Sequence, residues 1–514
     1  MGLSKRIGEL NQLRVGSILT YVNLIISTII PLLYTPIMLR ILGQGEYGVY
    51  SLSNSVVGYL GLLTFGMGAA VNRYITEYKV KGDKDLMQRC IGMFIVMYSA
   101  LAAVVCALGA ILPQFAGEFF GEGLTQSEIE RLKILIVIMA LSTAVSFPTS
   151  VFSSIVIVYE RYIFRKILDC IFTIAAPVFN LIVLFAGMAS VGMAIVALVM
   201  QILTGIILWI YCKRRLRVSA SFKNMPFYLL KEIWKFSAFI FLSTIVDMLY
   251  WATDKVLIGA MVSSVAVAVY NIGGTFTSML SNMSAAISGV FGTRVTTMVV
   301  EERSTSELSE LLIRIGRLQY LIVSLVLSGY IVFGRQFILF WAGKGYEKAY
   351  YIGLLVMLPL AVPLIQNVAY NIIVAQKRHQ FRAIVYAIIA VINVLATYLT
   401  IPKFGIIGAA VCTCAAYVLG QGIVMNIFYY KKIGLNIPMF WKNIIKMSII
   451  PAVLCISFLI LTYFAPIQSL IVFIVYIVLF LIIFVAFTWF VTMNNYEQGV
   501  FKDILKKLIS FKGK

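Results

Sequence analysis

Charged residues are scarce in this chain: Asp, Glu, Lys and Arg make up 12% of its 514 residues, whereas 61% are hydrophobic. A soluble protein of this length would need roughly a quarter charged residues, so the composition excludes a soluble fold and indicates an integral membrane protein. Acidic residues are half as frequent as basic ones, 21 against 42. The basic residues form short clusters between apolar runs, so we expect anionic membrane lipids rather than nucleic acid as partners.

The side chains that most enzymes use for chemistry are also rare. His379, the single histidine, lies in a basic loop, and the seven cysteines show neither metal-site nor disulfide spacing. The largest predicted outer loop, about 113–129, has no histidine, cysteine or plausible nucleophile, and no glycine-rich phosphate loop occurs. The sequence therefore predicts a protein that is not an enzyme, with no catalytic residue, no metal, no cofactor and no direct use of ATP.

Long apolar segments are abundant. Fourteen of them reach the roughly 20 residues needed to cross a ~30 Å hydrocarbon layer. The predicted fold is therefore an all-α polytopic membrane protein with about 14 transmembrane helices. These spans are 15–39, 47–75, 89–112, 132–158, 164–186, 190–212, 233–257, 264–293, 312–334, 350–375, 382–401, 405–429, 443–465 and 468–492.

Lysine and arginine indicate on which side of the membrane each loop lies, because basic loops stay in the cytoplasm. With the N-terminus inside, 34 basic residues fall in cytoplasmic segments and seven in outer ones. This asymmetry and the even number of spans predict a multi-pass membrane protein with both termini in the cytoplasm.

The second half of the chain repeats the first after about 217 to 220 residues. Tyr159–Arg165 (YERYIFR) returns as Gln376–Arg382 (QKRHQFR), and Tyr50 corresponds to Tyr270. Two copies of a multi-helix unit can rock about a shared central cavity, as in many transporters. The predicted divisions are an interfacial amphipathic helix at 1–14, a six-helix bundle at 15–217, a cytoplasmic linker at 218–232, a second six-helix bundle at 233–430, two additional helices at 431–492 and a basic cytoplasmic tail at 493–514.

Polar residues line one face of two spans that correspond in the repeat. Span eight places Asn271, Ser278 and Asn282 on one side with bulky apolar residues opposite, and span two places Asn54 on a similar face. We expect these faces to line the cavity and to contact the substrate. Close packing between helices, which also favours small and hydroxyl residues, is the alternative.

Asp247 lies past the midpoint of span seven, where an ionisable group costs ~2.5 kcal/mol or more unless it meets water or a partner. Tyr250 and Trp251 share its face. A substrate contact or an H⁺ or Na⁺ coupling site would explain this position. A structural pair with a basic group on a neighbouring helix would explain it equally well.

Four basic residues lie near the ends of predicted spans: Arg40 and Lys255 at the outer side, Arg73 and Arg294 at the inner side. An anionic headgroup that enters or leaves the cavity would meet them there. Lys255 could instead extend towards the membrane interface, and Arg73 and Arg294 could be ordinary cytoplasmic anchors.

Three segments carry a resemblance to a known family. They are Thr35–Gly43 (TPIMLRILG) followed by Glu46–Ser51 (EYGVYS), Asp254–Gly259 (DKVLIG) with Tyr270 and Asn271, and Gly405–Ala410 (GIIGAA). In this order, and with fourteen spans, they resemble the polysaccharide and oligosaccharide-lipid flippases of the multidrug/oligosaccharidyl-lipid/polysaccharide exporter superfamily. The resemblance covers essentially the whole chain.

The resemblance implies two six-helix bundles around a central cavity in a bacterial cytoplasmic membrane. Such a protein moves undecaprenyl-pyrophosphate-linked oligosaccharides from the inner to the outer leaflet by alternating access, for surface polysaccharide biosynthesis. Polysaccharide polymerases and glycosyltransferases would be its functional partners.

Three other functions remain as alternatives. Lipid II flippases resemble this plan but carry basic residues inside span one, where Tyr21–Pro31 of this chain has none. A cation-coupled multidrug antiporter of the same superfamily would favour an acidic, aromatic-lined cavity, for which Asp247, Tyr250 and Trp251 are candidates. A non-transport scaffold would have no need of polar faces in both copies.

Overall fold

The computed structural model describes the backbone of residues 2–510 and side chains between residues 15 and 502. The side chains at 16–18, 21, 236, 239, 243, 251, 286, 287, 290, 293 and 379 are not among those described. The amphipathic face predicted at 1–14 and most side chains of the predicted tail at 493–514 therefore lie outside the described residues. Within the described backbone, every regular element is a helix.

The helices follow one another with short connections. In chain order they are α1 (Gly2–Leu60), α2 (Gly68–Lys81), α3 (Lys84–Phe120), α4 (Gln126–Val158), α5 (Tyr162–Phe185), α6 (Ala189–Arg214), α7 (Leu230–Trp251), α8 (Thr253–Met261), α9 (Ser264–Val300), α10 (Thr305–Trp341), α11 (Lys348–Ile365), α12 (Asn367–Ala375), α13 (His379–Tyr417), α14 (Asn426–Phe428), α15 (Ile437–Phe464), α16 (Leu470–Phe487) and α17 (Asn495–Ser510). Short 3₁₀ turns lie at Gly61–Thr64 and Phe227–Leu229, and π-helical turns at Val418–Met425, Tyr429–Ile433 and Thr488–Thr492.

Ten of the described helices are long and apolar enough to cross a membrane, or eleven if a bent pair, Phe227–Lys235 with Ile240–Met261, is one span. Hydrocarbon offers the backbone no hydrogen bonds, so a chain of this composition satisfies its N–H and C=O groups within helices. The prediction of an all-α polytopic membrane protein is confirmed. The number of fourteen spans stays a prediction.

Two of these helical segments are each long enough for two membrane crossings. Val22–Lys81 has 60 residues and Gln380–Ile433 has 54, which at about 1.5 Å per residue is far longer than one ~30 Å crossing. Each contains a break in the helix, at Gly43 with φ 75° and at Gly405 with φ 56°. Glycine adopts this left-handed backbone without strain, so each long segment has room for two crossings.

The contacts divide the chain into two compact units. Unit 1 consists of Met1–Asn271 with Thr397–Gly405, and unit 2 consists of Ile272–Ala396 with Ile406–Lys514. This division places α7 and α8 with the first six predicted spans, whereas the sequence repeat assigns them to the second copy. The boundaries derived from the repeat stay a prediction.

One aromatic contact recurs in both copies of the repeat. In unit 1 the rings of Phe164 and Tyr211 stack with centroids 3.7 Å apart. In unit 2, Phe381 and Phe428 stack at 4.2 Å. Both partners are shifted by 217 residues, so this repeat offset corresponds to the same packing between two helices in each unit.

The two helices beyond the repeat pack against α10 in unit 2. Phe333 of α10 contacts Phe458 of α15 and both Phe473 and Phe480 of α16, with ring centroids 5.5 to 6.1 Å apart and nearly perpendicular planes. Edge-to-face pairs of this kind stabilise a contact beyond the area that they bury. The predicted segment 431–492 is therefore an integral part of the core of unit 2.

Gly48 of α1 lies close to the backbone at the start of α9 within unit 1. A Cβ atom at Gly48 would lie 1.9 Å from the backbone oxygen of Ser264, so the two helices would have to separate. We expect Gly48→Ala to lower stability by about 1–3 kcal/mol, the usual cost of overpacking. Gly68→Ala is the matched control, because no atom lies within 4 Å of its Cβ position. Equal midpoints of thermal unfolding in detergent for both variants would contradict this close approach.

Candidate functional site

A row of hydrogen-bonded polar side chains joins α1, α8 and α9 in unit 1. The Lys255 ammonium donates to the side-chain oxygen of Asn271 at 3.0 Å, and the Asn271 amide nitrogen donates to the Tyr47 hydroxyl at 2.7 Å. Tyr47 is buried, whereas Lys255 and Asn271 are partly exposed. The row therefore begins inside the unit and ends with a cation at an accessible position.

A carboxylate lies beside this row. Asp254 is buried, and its Oδ2 accepts a hydrogen bond from the Tyr270 hydroxyl at 2.5 Å. Next to it on α8, Thr253 and Tyr59 of α1 share a hydrogen bond of 2.5 Å between their hydroxyl groups. Buried polar groups need such partners, and these two contacts fix the beginning of α8 against its neighbours.

The turn between α8 and α9 brings the polar pairs together. Only Val262 and Ser263 separate the two helices, and both pairs, Asp254 with Tyr270 and Lys255 with Asn271, are 16 residues apart. Lys255 and Asn271 were predicted as site residues from the sequence, whereas Tyr47, Asp254 and Tyr270 were not. Asp254 and Tyr270 are separated in the sequence by the same distance as Lys255 and Asn271. This equal spacing could have indicated that Asp254 and Tyr270 also form a pair.

The ammonium of Lys255 has a neutral partner, the Asn271 amide. The neutral Asn271 amide orients the cation without neutralising its charge, and the buried Asp254 carboxylate, which accepts from Tyr270, also stabilises the charged form of Lys255 electrostatically. Lys255 therefore presents a positive charge that is suited to a phosphate or another anion. The Asn271 and Tyr47 side chains add groups that can donate and accept hydrogen bonds.

Two further contacts hold α9 and α6 near this row. Glu46 of α1 accepts from the Ser190 hydroxyl at 2.5 Å and lies 3.6 Å from the Arg131 guanidinium. Glu128, in the first turn of α4, accepts from the hydroxyl of Ser264.

The other predicted residues of unit 1 lie on the surfaces of its helices. Arg40 and Asn54 are exposed on α1, and the Asn54 amide donates to the backbone oxygen of Tyr50 at 3.2 Å. Asp247 is exposed and Tyr250 is half-buried on α7, which suits groups that meet water or substrate. The Trp251 side chain lies outside the described residues.

The remaining predicted site residues are also exposed. The Arg73 guanidinium lies 5.8 Å from the centre of the Tyr74 ring. In unit 2, Arg294, Ser278 and Asn282 are exposed on α9, and the Ser278 hydroxyl donates to the backbone oxygen of Gly274 at 3.1 Å. Of the eleven predicted site residues, the described hydrogen bonds join two directly, Lys255 and Asn271.

Among the residues that the structure describes, no group of three His, Cys, Asp or Glu side chains is arranged to hold a metal ion. The row of Tyr47, Asn271 and Lys255 consists of a hydroxyl, an amide and a single charged group. Such an arrangement can bind a polar or anionic molecule by hydrogen bonds and charge.

Solved structures show that the fold is shared with known transporters. A structure of the lipid II flippase MurJ in an inward closed conformation aligns with a TM-score of 0.69 and 17% identity, over 92% of this chain and 98% of that chain. An inward-facing multidrug resistance MATE family transporter aligns with a TM-score of 0.61 and 14% identity, over 82% and 99%. A MOP superfamily transporter from Pyrococcus furiosus, whose binding pocket is described as having reverse polarity, aligns at 0.55 and 15%, over 81% and 96%.

Sequence comparison identifies the family. No curated protein matches the chain significantly. The sequence profile described as "Polysaccharide biosynthesis protein" matches residues 13–291, which include most of α1, the helices α2 to α8, most of α9 and the whole row from Tyr47 to Lys255 and Asn271. Because this match spans more than half of the 514 residues, the chain belongs to the polysaccharide biosynthesis protein family.

Proposed function

We propose that this protein is a flippase that moves undecaprenyl-pyrophosphate-linked oligosaccharides from the inner to the outer leaflet by alternating access. It would act in the bacterial cytoplasmic membrane, with both termini in the cytoplasm, and would supply surface polysaccharide biosynthesis. Glycosyltransferases would produce its substrate and a polysaccharide polymerase would consume it. The family to which the chain belongs, together with its multi-pass helical fold, supports this proposal.

The chemistry of such a substrate makes three demands on a transporter. Hydrocarbon excludes the pyrophosphate, the sugars need many hydrogen bonds, and the long polyprenyl tail can stay in the bilayer while the head crosses. The observation that carries the proposal is the Lys255 ammonium, which is oriented by the neutral Asn271 amide at 3.0 Å. This charge can interact with a phosphate, and a cationic drug would be repelled by it.

The remaining predicted residues have roles in the same proposal. Arg73 and Arg294 would meet the pyrophosphate near the inner side, and Arg40 and Lys255 would meet it near the outer side. The sugars would be bound by amide and hydroxyl side chains on α1 and α9. These side chains belong to Asn54, Asn271, Ser278 and Asn282. Asp247, with Tyr250 and Trp251, would contact the sugar or couple transport to H⁺ or Na⁺.

Deletion of the gene in its native host tests this function. We expect loss of a surface polysaccharide and accumulation of its lipid-linked repeat unit in the inner leaflet, because the polymerase acts on the outer side. Resistance to cationic drugs should stay unchanged. The lipid-linked repeat is measured by mass spectrometry of extracted lipids and its leaflet by accessibility to an impermeant sugar-modifying reagent.

Two other outcomes would point to the alternatives. Unchanged surface polysaccharide with increased sensitivity to cationic drugs would contradict the flippase and favour the multidrug antiporter. In proteoliposomes that contain the purified protein, faster flipping of lipid II than of an undecaprenyl-pyrophosphate-linked oligosaccharide would contradict the proposed substrate and favour a lipid II flippase.

A further inference from the structure

A basic pocket of about 590 Å³ opens in unit 2 where α13 begins and the π-helical turn Tyr429–Ile433 ends. Four exposed cationic side chains line it. They are Lys377, Arg378, Lys431 and Lys432. The described residues that line the pocket include no carboxylate, so its charge is suited to an anion.

Two contacts hold the walls of this basic pocket together. The Arg378 guanidinium donates to the backbone oxygen of Lys432 at 3.1 Å, across 54 residues of sequence. Phe381 and Phe428, which also line the pocket, stack with ring centroids 4.2 Å apart and planes 13° from parallel. The pocket is therefore built by two fixed segments of the fold and is more than a run of charges on one loop.

The first turn of α13 adds hydrogen-bond donors to the pocket. Gln380 and Phe381 line it, and the residue before the helix, Arg378, makes no side-chain capping bond. The first N–H groups of a helix have no partner within it and carry a partial positive charge. Phosphate groups bind to helix starts of this kind, and here four cationic side chains surround the start.

Apolar side chains extend from the pocket along both of its walls. On α13, Phe381, Ile384 and Ile388 are 40%, 56% and 56% exposed, and their spacing of three and four residues places them on one face. On the opposite wall, Ile423 and Ile427 are 47% and 50% exposed. A ligand with a phosphate group and long hydrocarbon chains matches both the charges and this apolar surface, whereas free phosphate matches the charges alone.

The first copy of the repeat lacks one element of this charge pattern. At the offset of 217 residues, Glu160 takes the place of Lys377, and Arg214 and Arg215 correspond to Lys431 and Lys432. The stacked ring pair is present in both copies, so this packing is shared. The net charge of the corresponding residues differs by two, because Glu160 is acidic and Lys377 is basic. The first copy therefore provides an internal control for the basic pocket.

We propose that the basic pocket binds the phosphate of an anionic phospholipid of the surrounding leaflet, whose acyl chains lie along α13. This site is separate from the row of Lys255, Asn271 and Tyr47 and does not depend on the transported substrate. Juxtamembrane basic residues each contribute about 1 kcal/mol to binding an anionic membrane, which is roughly a fivefold change in affinity per residue.

The purified full-length protein in neutral detergent, titrated with phosphatidylglycerol and followed by native mass spectrometry, tests the site. We expect the double variant Lys431→Gln with Lys432→Gln to bind phosphatidylglycerol roughly 25-fold more weakly, with unchanged binding of phosphatidylcholine. The matched control, Arg214→Gln with Arg215→Gln, removes the same charge outside the basic pocket and should bind phosphatidylglycerol nearly as wild type does. Lys377→Glu, which copies Glu160 of the first repeat, is a second variant and should weaken binding similarly.

Two outcomes would overturn the proposal. The first is an equal loss of phosphatidylglycerol binding in the pocket variants and in the Arg214 and Arg215 control. This result would mean that basic charge anywhere on the chain is sufficient to bind the lipid. The second is displacement of phosphatidylglycerol by inorganic phosphate at an equal concentration, which would show an anion site without lipid specificity. A thermal unfolding midpoint within a few degrees of wild type, measured for each variant, ensures that binding is compared between folded proteins.

Discussion

Replacing Asn271 by Asp should block transport while leaving the protein folded. The change is nearly isosteric, and the new carboxylate would lie where the Asn271 oxygen now accepts from Lys255 at 3.0 Å. Lys255 would then donate to a carboxylate in place of the neutral amide, and its charge would be less available to an incoming phosphate. A hydrogen bond to a charged group contributes about 1.5–3 kcal/mol, so we expect transport to fall by roughly 10- to 100-fold.

The fold should tolerate this substitution. The Tyr47 hydroxyl now accepts from the Asn271 amide at 2.7 Å, and a hydroxyl can rotate to donate to a carboxylate instead. We expect an unchanged or higher midpoint of thermal unfolding together with lost transport in proteoliposomes, a combination that a purely structural role of Asn271 would not produce. Lys255→Gln should lower transport similarly, and Lys255→Arg should retain more of it.

Asn224→Asp is the control for the added negative charge. Asn224 is exposed in the segment between α6 and α7, so this variant changes the net charge equally without a contact to the polar row. It should transport at the wild-type rate. Wild-type transport by Asn271→Asp would contradict a role for the Lys255 charge in binding the anionic headgroup.

The sequence was sufficient to predict the helical architecture of this protein. Apolar segments of about 20 residues have few stable solutions in a bilayer, because backbone groups must form hydrogen bonds within each segment. It also indicated Lys255, near the outer end of a span, and Asn271, on a polar helix face, as candidate site residues, and their role in binding substrate stays a prediction. Both belong to the row that the structure describes.

The partners of these residues could not be predicted in the same way. Tyr47 lies 224 residues from Asn271, and helical periodicity indicates which face of a helix is polar but not which other helix that face meets. Asp254 and Tyr270 both belong to segments that carry the family resemblance, yet the contact between them depends on the turn after α8. For the same reason, Arg317 counted only as one more cytoplasmic basic residue, although it has a specific partner 180 residues away.

That partner is Glu497, and replacing it should produce the largest loss of stability that we expect in unit 2. The Arg317 guanidinium donates to both carboxylate oxygens of Glu497, at 2.5 and 3.0 Å, and also to the Thr492 backbone oxygen at 3.1 Å. The side chains are 12% and 0% exposed. This buried pair joins α10 to the beginning of α17.

Glu497→Gln would leave the buried Arg317 charge without its counter-ion. Breaking a buried pair by removing one partner costs about 3–5 kcal/mol, so we expect a fall of many degrees in the midpoint of thermal unfolding in detergent and faster proteolysis at α17. The matched control is Glu310→Gln on the same helix, whose pair with Arg314 has the same 2.5 Å distance but side chains 67% and 39% exposed. Exposed pairs four residues apart contribute only about 0.3–0.5 kcal/mol, so this variant should behave like wild type.

A double variant separates the cost of an unpaired charge from the value of the ion pair itself. When Arg317→Met is combined with Glu497→Leu, no buried charge is left, and apolar replacements of buried ion pairs are often neutral or stabilising. The double variant should therefore recover much of the stability that Glu497→Gln loses. If it is as unstable as Glu497→Gln, the hydrogen bonds of Arg317 to Thr492 and Asn443 stabilise this end of unit 2 more than the ion pair does. If Glu497→Gln unfolds at the same temperature as Glu310→Gln, the pair is not buried in solution and α17 does not depend on it.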